Sequence, residues 1–153
     1  MGRTDRASLL LHVDSDEVFT ALTSREALLA WLPPAGMQGR FERFDMREGG
    51  SYRLVLTYDD ATGGPGKTSA DSDASEVRVA RIVPGELVVQ EVDFDSDDPA
   101  FQGTMRMEWR VRSVEDGTEV ELTARNVPSG VRARDHALGL TSSLANLAAH
   151  LEP

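Results

Sequence analysis

Two hydrophobic periods alternate along the chain, and the points where one gives way to the other mark its elements. Ala7 to Val13, around the apolar run Leu9 to Leu11, reads as a first strand. Asp14 or Ser15 then caps a short helix carrying Val18, Phe19 and Leu22 at helical spacing. A second short helix runs from about Arg25 to Trp31 and stops at Pro33-Pro34, because a proline pushes the residue before it out of the helical region.

Six strand-like segments follow in three pairs. Gly39–Met46 and Ser51–Tyr58 flank Gly49-Gly50, Glu76–Val83 and Leu87–Phe94 flank Pro84-Gly85-Glu86, and Gly103–Ser113 and Thr118–Asn126 flank Glu115-Asp116-Gly117. Three consecutive hairpins predict an antiparallel meander. Alternation is clearest where Met105, Met107, Trp109 and Val111 share one face and Thr104, Arg106, Glu108 and Arg110 the other. In Leu87–Phe94 the register with Val88, Val92 and Phe94 inward buries more apolar area. The opposite register would turn Glu91 inward as a carboxylate of raised pKa.

Val131–Leu151 predicts the longest helix, with Leu140, Leu144, Leu147 and Leu151 forming one stripe that covers the dry face of the sheet. The order is therefore β-α-α, six strands, then a long helix. Residues 59–75 break the pattern. They are small and polar, and a loop of that length is either mobile or a lid, with mobility the first reading.

Composition narrows the chemistry. A chain of 153 residues with 40% hydrophobic content fits one globular domain, residues 1–153. It has no cysteine, which removes disulfides, thiol catalysis and thiolate metal sites. No apolar run approaches the roughly 20 residues that span a bilayer, and no signal peptide is evident, so a cytoplasmic location is expected. With 26 acidic against 16 basic residues, the net charge of −10 disfavours nucleic acid and anionic membrane surfaces as partners.

No catalytic or metal-binding motif emerges. His12, His136 and His150 lack companions at metal-ligand spacing, and His136 and His150 are expected at the surface. Gly63-Gly64-Pro65-Gly66-Lys67-Thr68 echoes a phosphate loop, but Pro65 removes an amide that a phosphate needs. Asp93, Asp95, Asp97 and Asp98 read as a solvated cluster, with a weak cation site as the lesser reading. No metal or cofactor is called for. The remaining signal is a set of large apolar residues (Trp31, Phe44, Tyr52, Tyr58, Phe94, Phe101, Trp109, Met105 and Met107) on segments expected to converge beneath the last helix.

The order of several short motifs also carries a family resemblance. Val18-Phe19-Thr20-Ala21-Leu22-Thr23, Leu29-Ala30-Trp31-Leu32-Pro33-Pro34 and Phe44-Asp45-Met46-Arg47-Glu48-Gly49-Gly50-Ser51-Tyr52-Arg53 resemble START-like (SRPBCC) domains. Within these they resemble the branch of the heat-shock-protein-90 ATPase activator C-terminal domain. Gly66-Lys67-Thr68, Gly103-Thr104-Met105 with Trp109, Gly117-Thr118-Glu119-Val120 and Ser143-Leu144-Ala145-Asn146-Leu147 extend the resemblance over nearly the whole chain. It implies an α+β helix-grip fold, a curved antiparallel sheet wrapped around the C-terminal helix, with a cavity walled by Trp31, Phe44, Tyr52, Leu54, Met107, Trp109, Leu140 and Leu144.

Within the signature, Gly49-Gly50 permits a tight reversal, and Asp45 and Arg47 are expected on one strand face, pairing across the hairpin. Relatives often carry Gly-Trp where this chain has Gly139-Leu140. Close approach of the helix to the sheet would explain Gly139. Three functions follow in order: binding of a hydrophobic small molecule or lipid; a chaperone-cofactor or protein-interaction role; and a cyclase or hydrolase on aromatic or polyketide substrates. The last would draw on Glu91, Arg53 and Tyr52. A homodimer is compatible with the sequence but not required by it.

Overall fold

The computed structural model describes residues 3–33, 36–58, 72–94 and 99–152. Its elements run β1 (Arg3–Leu11), α1 (Ser15–Thr23), α2 (Arg25–Trp31), β2 (Met37–Phe44), β3 (Ser51–Tyr58), β4 (Ser72–Val83), β5 (Leu87–Phe94), β6 (Gly103–Val114), β7 (Gly117–Val127) and α3 (Ala133–Leu151). A 3-10 turn at Pro99–Phe101, not foreseen from the pattern, precedes β6. This is the expected order. The expected long loop is shorter at its end than the pattern suggests, because β4 already begins at Ser72. Residues 59–71, and with them the choice between lid and mobile segment, lie outside the described residues, as do Asp95, Asp97 and Asp98.

Local chemistry accounts for the helix boundaries. Ser24 closes α1 through its backbone N–H on the Thr20 carbonyl and opens α2 through its hydroxyl, which accepts from the Ala27 N–H at 3.4 Å. Asp16 and Glu17 in the first turn of α1 face the positive end of its dipole. The last helix starts at Ala133 rather than Val131, because the Val131 N–H closes a turn onto the Pro128 carbonyl.

The seven strands form one antiparallel sheet in the order β1-β7-β6-β5-β4-β3-β2. The meander is continuous, and β1 joins it by pairing with β7, from Leu11 opposite Thr118 to Arg3 opposite Val127. Cross-strand rows on the concave face are largely apolar: Phe44–Tyr52–Val77, Val79–Gln90–Met107–Ala124, and Val88–Trp109–Leu122–Ala7. Val88 and Val92 thus join the core side, as the preferred register requires, and Glu91 points outward. The side chains of Tyr58, Phe94 and Phe101 lie outside the described residues.

Leu140, Leu144 and Leu147 bury against the sheet. Helix α3 packs chiefly on β1, and to a lesser extent on β7, α1 and α2. Its first two turns are exposed apart from His136 and Leu140, with Leu138 63% exposed. Gly139 does not mark a close approach, contrary to the expectation, since nothing lies within 4 Å of where its Cβ would stand. Glycine there costs about 1 kcal/mol relative to alanine. Three buried leucines, at roughly 1.5–3 kcal/mol each, outweigh it. Among the described residues no helix is long and apolar enough to cross a membrane.

Candidate ligand-binding face

The eight residues expected to wall a cavity fall into two adjoining apolar clusters. Trp31, Trp109, Leu140 and Leu144 are buried in the larger one, between α3, α1, α2 and strands β1 and β5–β7, with Met107 and Phe44 half-buried at its margin. The two indoles meet edge to face with centroids 5.5 Å apart, and Trp31 Nε1 donates to the Ala21 carbonyl at 2.8 Å. Tyr52 and Leu54 belong to the smaller cluster with Val77, against which Leu29, Leu32, Phe41, Phe44, Met46, Leu56 and Val92 pack half-buried. Phe44 touches both clusters and joins them.

Phe41, Phe44 and Tyr52 form an aromatic trio with centroid separations of 4.7, 5.3 and 6.1 Å. Phe41 was not singled out from the sequence, although it lies three residues before Phe44. A bulge between Phe41 and Arg43 accounts for this. It shifts the pairing by one residue, so two aromatics of odd spacing share a face. The β2–β4 end of the concave face therefore has a buried floor (Tyr52, Leu54, Val77) beneath a partly buried apolar rim. Trp31 also lines an open cleft of about 310 Å3 at the seam of α2 and α3, with Pro33, Asn146 and His150.

One polar pair sits in this apolar surface. Gln90 Nε2 donates to the Tyr52 hydroxyl at 3.3 Å, and both residues are buried. Burial pushes the Tyr52 phenol up to about 12, with the hydrogen bond from Gln90 acting in the opposite direction, so the ring is neutral at ordinary pH.

The candidate catalytic trio is not brought together. Tyr52 faces inward, whereas Arg53 lies on the outer face with its Nε 2.8 Å from Glu42, and Glu91 is there too, beside Arg78 at 3.7 Å. The outer face carries a lattice of opposite charges. Asp93 is held down to about 2 by hydrogen bonds from Arg78 and Thr104. Burial tends to raise the Glu108 carboxyl, but hydrogen bonds from Arg125 and Arg106 hold it below its usual range. Among the described residues no group of histidines and carboxylates could hold a metal ion.

The Asp45–Gly50 segment is a structural clasp. Asp45 and Arg47 lie beyond the end of β2 and pair with each other at 2.9 Å instead of across the hairpin, because the strand ends at Phe44. The Gly49 N–H donates to the Val79 carbonyl, the Val79 N–H to the Gly50 carbonyl, and the Ile82 N–H to the Glu48 carboxylate at 3.0 Å. The turn thereby ties β3 to the bulge in β4 between Val79 and Arg81.

His136 is half-buried and not at the surface as expected: its Nδ1 lies 2.8 Å from Asp5, which also receives Arg3. The arginine's hydrogen bond is the main reason the Asp5 carboxyl sits below its usual range, with His136 adding to it and burial opposing. A second Arg3 nitrogen reaches the Val131 carbonyl at 2.7 Å, so the cluster ties β1 to the approach of α3.

A curved antiparallel sheet with a C-terminal helix laid along its concave side, and an apolar face left beside that helix, defines a START-like protein of the helix-grip class. Comparison with known proteins narrows the class. The family described as Activator of Hsp90 ATPase homolog 1-like protein matches residues 12–152, and the chain belongs to that family. A protein of Chromobacterium violaceum is 27% identical with a TM-score of 0.79, covering 98% of this chain and 97% of that one. An AHSA1-like protein from Aeromonas hydrophila has a TM-score of 0.80 at 12% identity, covering 98% of this chain and 92% of its own, so it attests the fold. An AHSA1 protein from Silicibacter pomeroyi gives 0.74 at 20% identity, with 97% of each chain covered. No curated protein matches the chain.

Proposed function

We propose that the chain binds a hydrophobic small molecule or lipid on the concave face beside α3. The observation that carries this reading is the partly buried rim of Phe41, Phe44, Leu56 and Val92 over the buried floor of Tyr52, Leu54 and Val77. Helix α3 makes its main contacts at the opposite, β1 end of the sheet. A concave apolar surface with few polar groups is the usual form of a small-molecule site. Trp31, Trp109, Leu140 and Leu144 form the packed wall on the helix side, and Phe44, Tyr52, Leu54 and Met107 the surface a ligand touches.

Nile red, a neutral dye whose emission rises and shifts to the blue in apolar surroundings, tests the reading. The protein is expected to bind it at micromolar concentration. Phe44→Glu is expected to weaken binding at least tenfold, and Glu119→Gln on the outer face to leave it unchanged. A dye response absent from the wild type, or indifferent to Phe44→Glu in a folded variant, overturns it.

The family description favours a second reading, a chaperone-cofactor role. Stimulation of a purified Hsp90-type ATPase would support it, and calorimetry without heat of binding would argue against it.

A further inference from the structure

Three polar side chains are buried among the described residues: Gln90, Thr118 and Thr123. Thr118 donates to the Val13 carbonyl at 2.7 Å and serves the fold. Thr123 stands opposite Glu108, whose carboxylate pairs with arginines of the charged outer face. Gln90 differs from both. It lies in the concave row between Val79 and Met107, next to the rows of Tyr52–Val77 and Val88–Trp109.

An amide carries two donor and two acceptor positions. Among the described residues the Gln90 side chain has one partner, the Tyr52 oxygen, at the long end of hydrogen-bond range. In that bond the phenol accepts, which leaves its own proton to be donated. Among the described residues no polar side-chain atom is sealed from solvent without a partner, so the part of the amide that Tyr52 leaves free still reaches solvent. A leucine at position 90 would fill the place between Val79 and Met107 with apolar surface alone, so packing gives no reason for glutamine here.

We infer that Gln90 and Tyr52 form the polar end of the ligand-binding face, and that its occupant is a neutral, mainly apolar molecule bearing one hydroxyl or carbonyl group. This rests on the binding reading above and sharpens it. The pair offers an N–H, an O–H and a carbonyl oxygen, which suit an alcohol or a ketone equally well. It offers no cation. On this end of the sheet Arg53 pairs with Glu42 and Arg78 with Asp93 on the outer face, and Arg47 pairs with Asp45 in the turn beyond β2. On the concave side the Arg3–Asp5–His136 cluster sits at β1, separated from β5 by β7 and β6 and already paired within itself. A carboxylate on this face would lose its hydration without gaining a counter-ion.

Displacement of bound Nile red by dodecan-1-ol and by dodecanoate at pH 8 separates the cases. The alcohol is expected to compete about tenfold better than the acid. Gln90→Leu, which keeps the shape of the row, is expected to weaken the alcohol about tenfold and to weaken Nile red, which carries one ring carbonyl, in the same direction. Tyr52→Phe is expected to act in the same direction by a smaller factor. Equal competition by alcohol and acid on the wild type overturns the inference without use of any variant. So does an alcohol affinity untouched by both substitutions. Absence of Nile red binding defeats the binding reading itself, which keeps the two failures distinct.

Discussion

At Gly50 hydrogen is the largest substituent the turn admits, because a Cβ would run into the carbonyl oxygen and side chain of Asp45. Its neighbour Gly49 has φ +83, a conformation that L side chains resist. Gly50→Ala must displace backbone that also bonds Val79, and is expected to cost about 2 kcal/mol or more, read from urea unfolding. Gly139→Ala has the opposite sign. The position is helical with open space around it, so the substitution is expected to stabilise by about 0.5–1 kcal/mol. A loss of stability there would mean that the helix approaches another surface in solution.

Between elements, the Arg3–Asp5–His136 cluster fastens the edge strand β1 to the start of α3. The folded-state pKa of Asp5 is depressed from 3.8, so its contribution is present above that value and disappears as pH falls through the lower, folded value. Asp93 loses its contribution in the same direction, between 3.8 and about 2. Stability is therefore expected to fall on acidification below pH 4. In Asp5→Asn that acid-side slope becomes shallower, and stability at pH 7 falls by about 1–2 kcal/mol. An unchanged slope in chemical denaturation from pH 5 to 2 would remove the cluster from the account.

Most of the element plan was legible in the chain. α2, β3 and β5 fall on their expected residues, because a proline stop, a glycine pair and a Pro-Gly turn are local signals. The Met105–Val111 alternation likewise identified the dry face correctly. Other features depend on partners far away in sequence and left no local mark. The position of β1 beside β7, the bulge that brings Phe41 alongside Phe44, and the capture of His136 by Asp5 are of this kind. Gly139 was misread because a glycine has the same letter whether a neighbour crowds it or none is there. Gln90 drew no notice because its significance lies in the apolar residues across the strands, not beside it.

Across the molecule, the two apolar clusters share Leu32, Phe41, Phe44 and Met46, so neither can loosen without exposing part of the other. One cooperative transition is expected, with fluorescence of the buried Trp31 and Trp109 and far-ultraviolet dichroism changing together on urea unfolding. Separate midpoints would show the helix side and the aromatic trio to be independent units.

The pairing of β1 with β7 also fixes an order of events during synthesis. Thr118 bonds Val13 across a separation of 105 residues, and the neighbouring strand partners are comparably distant. At roughly 5–20 residues per second, the first strand leaves the ribosome several seconds before its partner exists. For that interval Leu9 and Leu11 have no sheet to join, and a contact of such span closes slowly even once both strands are available. The strand that completes the sheet is therefore the first made and among the last placed, and a nascent chain is most exposed to mispairing at that edge.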